Sequence, residues 1–137
     1  MVLTKENKVV LVEQYRHGGE DFFLEIPAGK IEGNETNEEG IEREVREETE
    51  YISKMKPIKL GEFMVNPSTQ NNKVITYLLV DAVKEYEQNL DDLEEIDTTL
   101  VDFDKLGELL KTNHIKKQLF TANAYFMAKD YLLRNEA

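Results

Sequence analysis

Apolar and polar positions alternate with two different periods along the chain, and the switches between them divide it into elements. Residues 8–14 (KVVLVEQ) are rich in β-branched side chains and predict a strand, with Tyr15 and Arg16 at its end and His17-Gly18-Gly19 as a turn. A second strand is predicted over residues 22–26, stopped by Pro27. The period then changes to that of a helix over residues 36–51. Thr36, with Glu39 three positions on, has the pattern of a capping box, and Ile41, Val45 and Ile52 recur as one apolar stripe. Strands are predicted over 56–65, 73–83 and 98–103, with Pro67 in the 66–72 loop and an acidic, irregular stretch over 85–95. A short helix is predicted over 104–111. A longer one follows over 115–133, with Ile115, Leu119, Ala122, Phe126 and Leu133 on one side, and Phe120, Phe126 and Met127 packing the helix. Strands and helices do not alternate as βαβ units, so an α+β fold with a mixed sheet is expected. No repeat or linker interrupts residues 1–137, which are expected to form one domain.

Composition removes several classes of function. The net charge is −11, from 17 Lys+Arg against 28 Asp+Glu, and a nucleic-acid binder needs the opposite balance on its binding face. The absence of cysteine excludes disulfides, thiolate metal sites and cysteine nucleophiles together. Only two histidines, His17 and His114, are present, which argues against a histidine-rich zinc site; both are expected in surface or capping roles. No apolar run approaches the roughly 20 residues that cross a bilayer, and no basic-then-apolar leader opens the chain. A soluble, cytoplasmic protein with no nucleic-acid or membrane partner is the expectation.

Candidate chemistry is concentrated in residues 29–51. Between positions 35 and 50 there are eight glutamates and only two arginines, Arg43 and Arg46. Glu44, Glu47 and Glu48 fall within about 100° of one helical arc, beside the apolar stripe of Ile41 and Val45. Like charges so placed repel, and partial burial strengthens the repulsion. Surface glutamates on a helix commonly need no ligand, and Arg43 is spaced to pair with Glu47 at i+4. A hard cation such as Mg²⁺ or Mn²⁺ would relieve the same repulsion.

The spacing discriminates between these readings. Gly29, Glu35 and Arg43-Glu44-Val45-Arg46-Glu47-Glu48, closed by Tyr51, resemble the box of the Nudix hydrolases, which implies a Nudix fold with its mixed β-sheet sandwiched between helices (α/β/α). The chain departs at Glu50, where the family has a glycine, and this points to an altered helix end. Residues 10–16 (VLVEQYR), 24–32 (LEIPAGKIE) and Pro67, sixteen positions beyond Tyr51, are similar to the ADP-ribose pyrophosphatase branch.

The resemblance implies Mg²⁺-dependent hydrolysis, with Mn²⁺ as a substitute, of the diphosphate bridge of a nucleoside diphosphate linked to another moiety. ADP-ribose, giving AMP and ribose 5-phosphate, comes first; another nucleotide sugar such as GDP-mannose, a nucleoside triphosphate, or non-catalytic binding of a nucleotide sugar are the alternatives. Glu44, Glu47 and Glu48 would hold metal with the backbone carbonyl of Ala28, and Arg16 would contact phosphate. Gly29, Glu35 and Arg43 would shape the box, Arg43 by orienting Glu47 or Glu35. The general base would come from Glu94 or Glu95. The loop carrying Pro67 would read the nucleoside-sugar part, and Asn72 stands where relatives carry a glutamate, which points to an altered contact to adenine or ribose. Larger relatives carry an amino-terminal sheet extension, expected to be missing ahead of the first core strand here; a homodimer is one arrangement the resemblance allows.

Overall fold

A computed structural model describes residues 1–85, 98–112 and 117–136. The elements run β1 (Val2–Thr4), β2 (Lys8–Arg16), β3 (Asp21–Glu25), α1 (Asn37–Thr49), β4 (Tyr51–Ile52), β5 (Ile58–Met64), β6 (Lys73–Lys84), β7 (Thr98–Asp102), α2 (Phe103–Leu110) and α3 (Leu119–Asn135). The strands form one sheet in the order β3-β2-β1-β6-β4, with β5 added to β6 and β7 to β2. The β1–β6 pair is parallel and the remaining pairs are antiparallel, so the sheet is mixed, as expected. No helix among the described residues is long and apolar enough to cross a membrane.

Alternation along the strands builds a core on each face. Leu3, Val9, Leu11 and Leu78 turn to one side and meet Phe103 and Leu106 of α2 and Ala124, Tyr125 and Ala128 of α3. Val2, Val10, Tyr77 and Leu79 turn to the other and meet Val45 of α1. Successive residues of a strand face opposite sides, so β2 and β6, which carry consecutive buried apolar residues (Val9–Val12 and Tyr77–Leu79), must be covered twice. Each fully buried Val or Leu contributes about 1.5–3 kcal/mol of transfer free energy. The result is helix, sheet and helix in layers.

Three expectations are corrected. The helix predicted over 36–51 ends at Thr49, and Ile52 belongs to β4, paired with Val83 of β6, not to the helical stripe. β1 was not expected: three residues carry too little pattern to register, yet all three are buried between β2 and β6. The apolar stripe expected on the last helix points outward, with Leu119, Phe126 and Leu133 at 72%, 46% and 64% exposure. Thr121, Ala124, Tyr125 and Ala128 face the core instead. Small side chains allow α3 to lie close to the sheet, and Gly107 of α2 admits the Tyr125 ring, since a Cβ there would stand 2.3 Å from the phenol oxygen. Ile115 and His114 lie outside the described residues.

Candidate active site

The site begins with the ends of α1. Thr36 accepts a hydrogen bond from the Glu39 backbone N–H (3.1 Å) and the Glu39 side chain accepts one from the Thr36 N–H (3.2 Å), so the expected capping box is present. At the other end Glu50 takes the left-handed conformation (φ 63°, ψ 13°), its N–H bonded to the Arg46 carbonyl. The expected alteration of the helix end is therefore absent: glutamate adopts the turn that glycine enters without strain.

Arg43 ties α1 to the loop before it. Its guanidinium donates to Glu35 through Nε and Nη2, to Glu44 (3.0 Å) and Glu47 (3.1 Å) through Nη1, and to the Lys30 carbonyl (3.0 Å). The hydrogen bond from Arg43 holds the Glu35 carboxyl below the usual carboxylate range. Arg43 thus orients both candidates expected of it, Glu35 and Glu47, and Glu44 as well. Gly40, buried on α1, lets Ile31 close over the helix: a Cβ there would meet the Ile31 Cδ1 at 2.5 Å.

The loop over residues 26–30 is held from two sides. Thr121 of α3, fully buried, accepts a hydrogen bond from the Ile26 N–H (3.3 Å). On the other side the Ala28 N–H donates to Glu48 Oε2 (3.3 Å). Gly29 leaves room for Glu44: a Cβ at position 29 would stand 2.0 Å from its carboxyl carbon. Glu44 and Glu48 thus converge on Ala28 and Gly29 across one turn of helix.

Burial, with the carboxylates of Glu44 and Glu25 nearby, pushes the half-buried Glu48 carboxyl up to about 7, against the Ala28 N–H and Arg16, which favour its ionised form. Glu25 was not singled out in the sequence, although a glutamate within the apolar run FFLEI is a usable signal. It is almost completely buried and accepts from Arg16 Nε (2.9 and 3.2 Å) and Nη2 (2.5 Å), which strengthens the hold of Arg16 on its proton. Thr121 was missed too, and no pattern in a helix marks it.

A cleft of about 680 Å³ opens beside this loop, lined by Ala28, Gly29, Glu44, Gln70, Asn72 and Tyr77 among others. Asn72 lines it, whereas Pro67 sits in the adjoining turn, outside the lining. Phe120, expected in helix packing, also lines the cleft. Glu47 stands apart on a separate groove along α1 with Glu39, Glu42 and Arg46. Among the described residues no three acidic or histidine side chains are gathered closely enough to hold a metal ion as they stand. The donor chemistry nevertheless fits a hard cation: Glu44, Glu48 and the Ala28 carbonyl offer oxygen alone, and Glu48 ionises against neighbouring carboxylates. Glu94 and Glu95 lie outside the described residues, and exposed His17 packs edge-on against Tyr15.

The chain is 36% identical over 112 residues to an ADP-ribose pyrophosphatase of Bacillus subtilis (strain 168), covering 79% of this chain and 60% of that protein. It is 32% identical over 116 residues to a methanol dehydrogenase activator of Bacillus methanolicus, covering 84% and 62%. It spans about three fifths of the length of these relatives. A crystal structure described as an ADP compounds hydrolase superposes with a TM-score of 0.82 at 20% identity, covering 99% of this chain and 72% of that one, a likeness of fold. The NUDIX domain model matches residues 1–123, and with the box on α1 beneath its loop, the chain belongs to the NUDIX domain family.

Proposed function

We propose that the protein hydrolyses the diphosphate bridge of a nucleoside diphosphate derivative, ADP-ribose first, to AMP and ribose 5-phosphate in the presence of Mg²⁺. The observation that carries this reading is the convergence of Glu44 and Glu48 on the Ala28–Gly29 loop, beside a cleft large enough for a nucleotide. The B. subtilis relative, an ADP-ribose pyrophosphatase by name, supports the choice of first substrate.

Glu44, Glu48 and the Ala28 carbonyl would hold the cation, with Glu47 as a third carboxylate released from Arg43. Bound Mg²⁺ supplies polarisation of phosphoryl oxygens and a water of lowered pKa. A net charge of −11 repels a diphosphate, so neutralised carboxylates are a condition for binding. Arg16 donates a hydrogen bond to a phosphate oxygen. Glu94 or Glu95 takes the proton of the attacking water, and the bridging oxygen departs with one of the two phosphate halves. Asn72 and Gln70 present neutral amides to the cleft, which favours as second reading a nucleotide sugar other than ADP-ribose.

The test is phosphate release, coupled to alkaline phosphatase, over ADP-ribose, GDP-mannose, UDP-sugars and dinucleoside polyphosphates, with Mg²⁺ or Mn²⁺. Nucleoside triphosphates are followed separately by pyrophosphate release. Cleavage of ADP-ribose that falls at least a hundredfold in Glu48→Gln is the expected result. Cleavage that survives the substitution removes Glu48 from the site, and no cleavage of any compound defeats the enzyme reading.

A further inference from the structure

We propose that Glu25 is a positioning residue of this site, fixing the Arg16 guanidinium by one edge so that the other meets an anionic group of the substrate. The inference rests on the diphosphatase reading above. Pairing of β2 with β3 places Val12 opposite Glu25 and Arg16 opposite Asp21, so Arg16 and Glu25 share a face. The register partner of Arg16 is exposed Asp21, yet its guanidinium reaches back along the hairpin to the buried Glu25. Nε and Nη2 are both engaged there. Among the described residues Nη1 has no hydrogen-bond partner, and Arg16 lies close enough to Glu48 for each to favour the charged form of the other.

Glu25 is buried whereas Arg16 is half-exposed, and an ion pair open to solvent on one side adds little stability while its buried carboxylate costs desolvation, so stability alone does not account for a carboxylate between Leu24 and Ile26. What the pair supplies is direction. Arginine is planar, and anchoring two of its nitrogens sets the plane and the aim of the third. Paired with Glu25, Arg16 is nearly neutral as a unit, so it acts on a phosphate through one fixed hydrogen bond more than through long-range attraction. The opposite reading has the opposite sign: if charge mattered more than aim, removing the Glu25 charge would strengthen substrate binding.

The experiment compares wild type, Glu25→Gln, Arg16→Lys and the double variant for KM and kcat on ADP-ribose, with the Mg²⁺-induced rise in melting temperature alongside. Loss of a charged hydrogen bond predicts a KM about tenfold higher in each single variant, kcat within about threefold and the Mg²⁺ response retained. The double variant should be no worse than Arg16→Lys, since no fork remains to aim. An unchanged or lower KM in Glu25→Gln, or effects that multiply in the double variant, overturns the proposal. So does loss of the Mg²⁺ response together with the KM change, which marks a merely structural role. If Glu25→Gln does not fold, Arg16→Lys decides, because an unchanged KM there also overturns it. A wild type that cleaves nothing fails the reading of the reaction instead; the same comparison is then made on the Kd for ADP-ribose by calorimetry with Mg²⁺, with the same expected and overturning signs.

Discussion

Helices α1 and α3 cover opposite faces of one sheet and are held there by opposite means. α1 is specified by its own neighbourhood: a capping box at one end, a hydrogen-bonded left-handed turn at the other, and an arginine at its centre that gathers Glu35, Glu44 and Glu47. α3 has no side-chain cap at Gln118 and is held by what it touches, with Thr121, Ala124 and Ala128 against the sheet and three large apolar residues turned outward. The first helix is written in local chemistry, the second in tertiary fit. The two should respond differently to substitution.

The largest effect is expected at Arg43. Alanine there frees Glu35, Glu44 and Glu47 at once and detaches the 30–35 loop from α1. Displacement of a reacting group by about 1 Å costs roughly a hundredfold in rate, so kcat/KM for ADP-ribose should fall by at least that factor, with a lowered melting temperature. Arg43→Lys keeps the charge without the fork and should recover little of the activity. Full activity in Arg43→Ala would mean that α1 holds its carboxylates without help.

On α3 the contrast is between its two faces. Ala124→Leu forces extra methyl groups into the fully buried face of α3 and should lower the stability measured in urea by about 2–3 kcal/mol. Leu133→Ala, on the outward face, should change it by no more than about 0.5 kcal/mol. Equal effects would show that the outward residues pack against something after all.

That contrast also explains what could be read from the sequence. The start of α1, its capping box and the i+4 pairing of Arg43 with Glu47 were legible because each depends on residues within a few positions of one another, whereas the end at Thr49 was overrun. The α+β class was legible because strands and helices do not alternate as βαβ units, and the helix–sheet–helix layering followed from the family resemblance. The inward face of α3 was not, because periodicity ranks side chains by size and hydrophobicity, whereas the distance from α3 to the sheet selects alanine and threonine. β1 was too short to register. Glu25 was passed over because its partner, Arg16, is nine residues away across a hairpin, beyond any helical or strand period.

A smaller effect concerns Glu48. Its carboxyl titrates near 7 in the folded protein against 4.5 as the reference, so the fold binds this proton more tightly than the unfolded chain. Stability of the metal-free protein therefore falls as pH rises from about 4.5 to about 7. Allowing for its partial contact with solvent, the loss is about 1–2 kcal/mol. Glu48→Gln should remove that decline, and urea unfolding of both proteins at pH 5 and pH 8 without metal measures it. Mg²⁺ added at pH 8 should restore the wild type and leave the variant nearly unchanged. Parallel pH profiles would show that Glu48 ionises without penalty and that no cation is needed to relieve it.

The smallest effect isolates the end of α1. Glu50 carries a Cβ at φ 63°, where a left-handed residue other than glycine is strained by roughly 1 kcal/mol, and its carboxylate lies at the negative end of the helix dipole. Glu50→Gly removes both penalties but adds freedom to the unfolded chain and loses an exposed contact to Lys84 at 3.9 Å, which together offset part of the gain. A net stabilisation of about 0.5–1 kcal/mol is expected. Glu50→Ala removes the charge and the Lys84 contact while keeping the Cβ, so the difference between the glycine and alanine variants in urea unfolding measures the strain less the freedom that glycine adds to the unfolded chain. If the alanine variant is instead the more stable, the left-handed turn is held without strain by the Glu50 N–H to the Arg46 carbonyl and the Glu85 N–H to the Glu50 carbonyl. The end of α1 would then depend on its connection to β6, and the local chemistry that specifies the rest of the helix would stop one turn short of it.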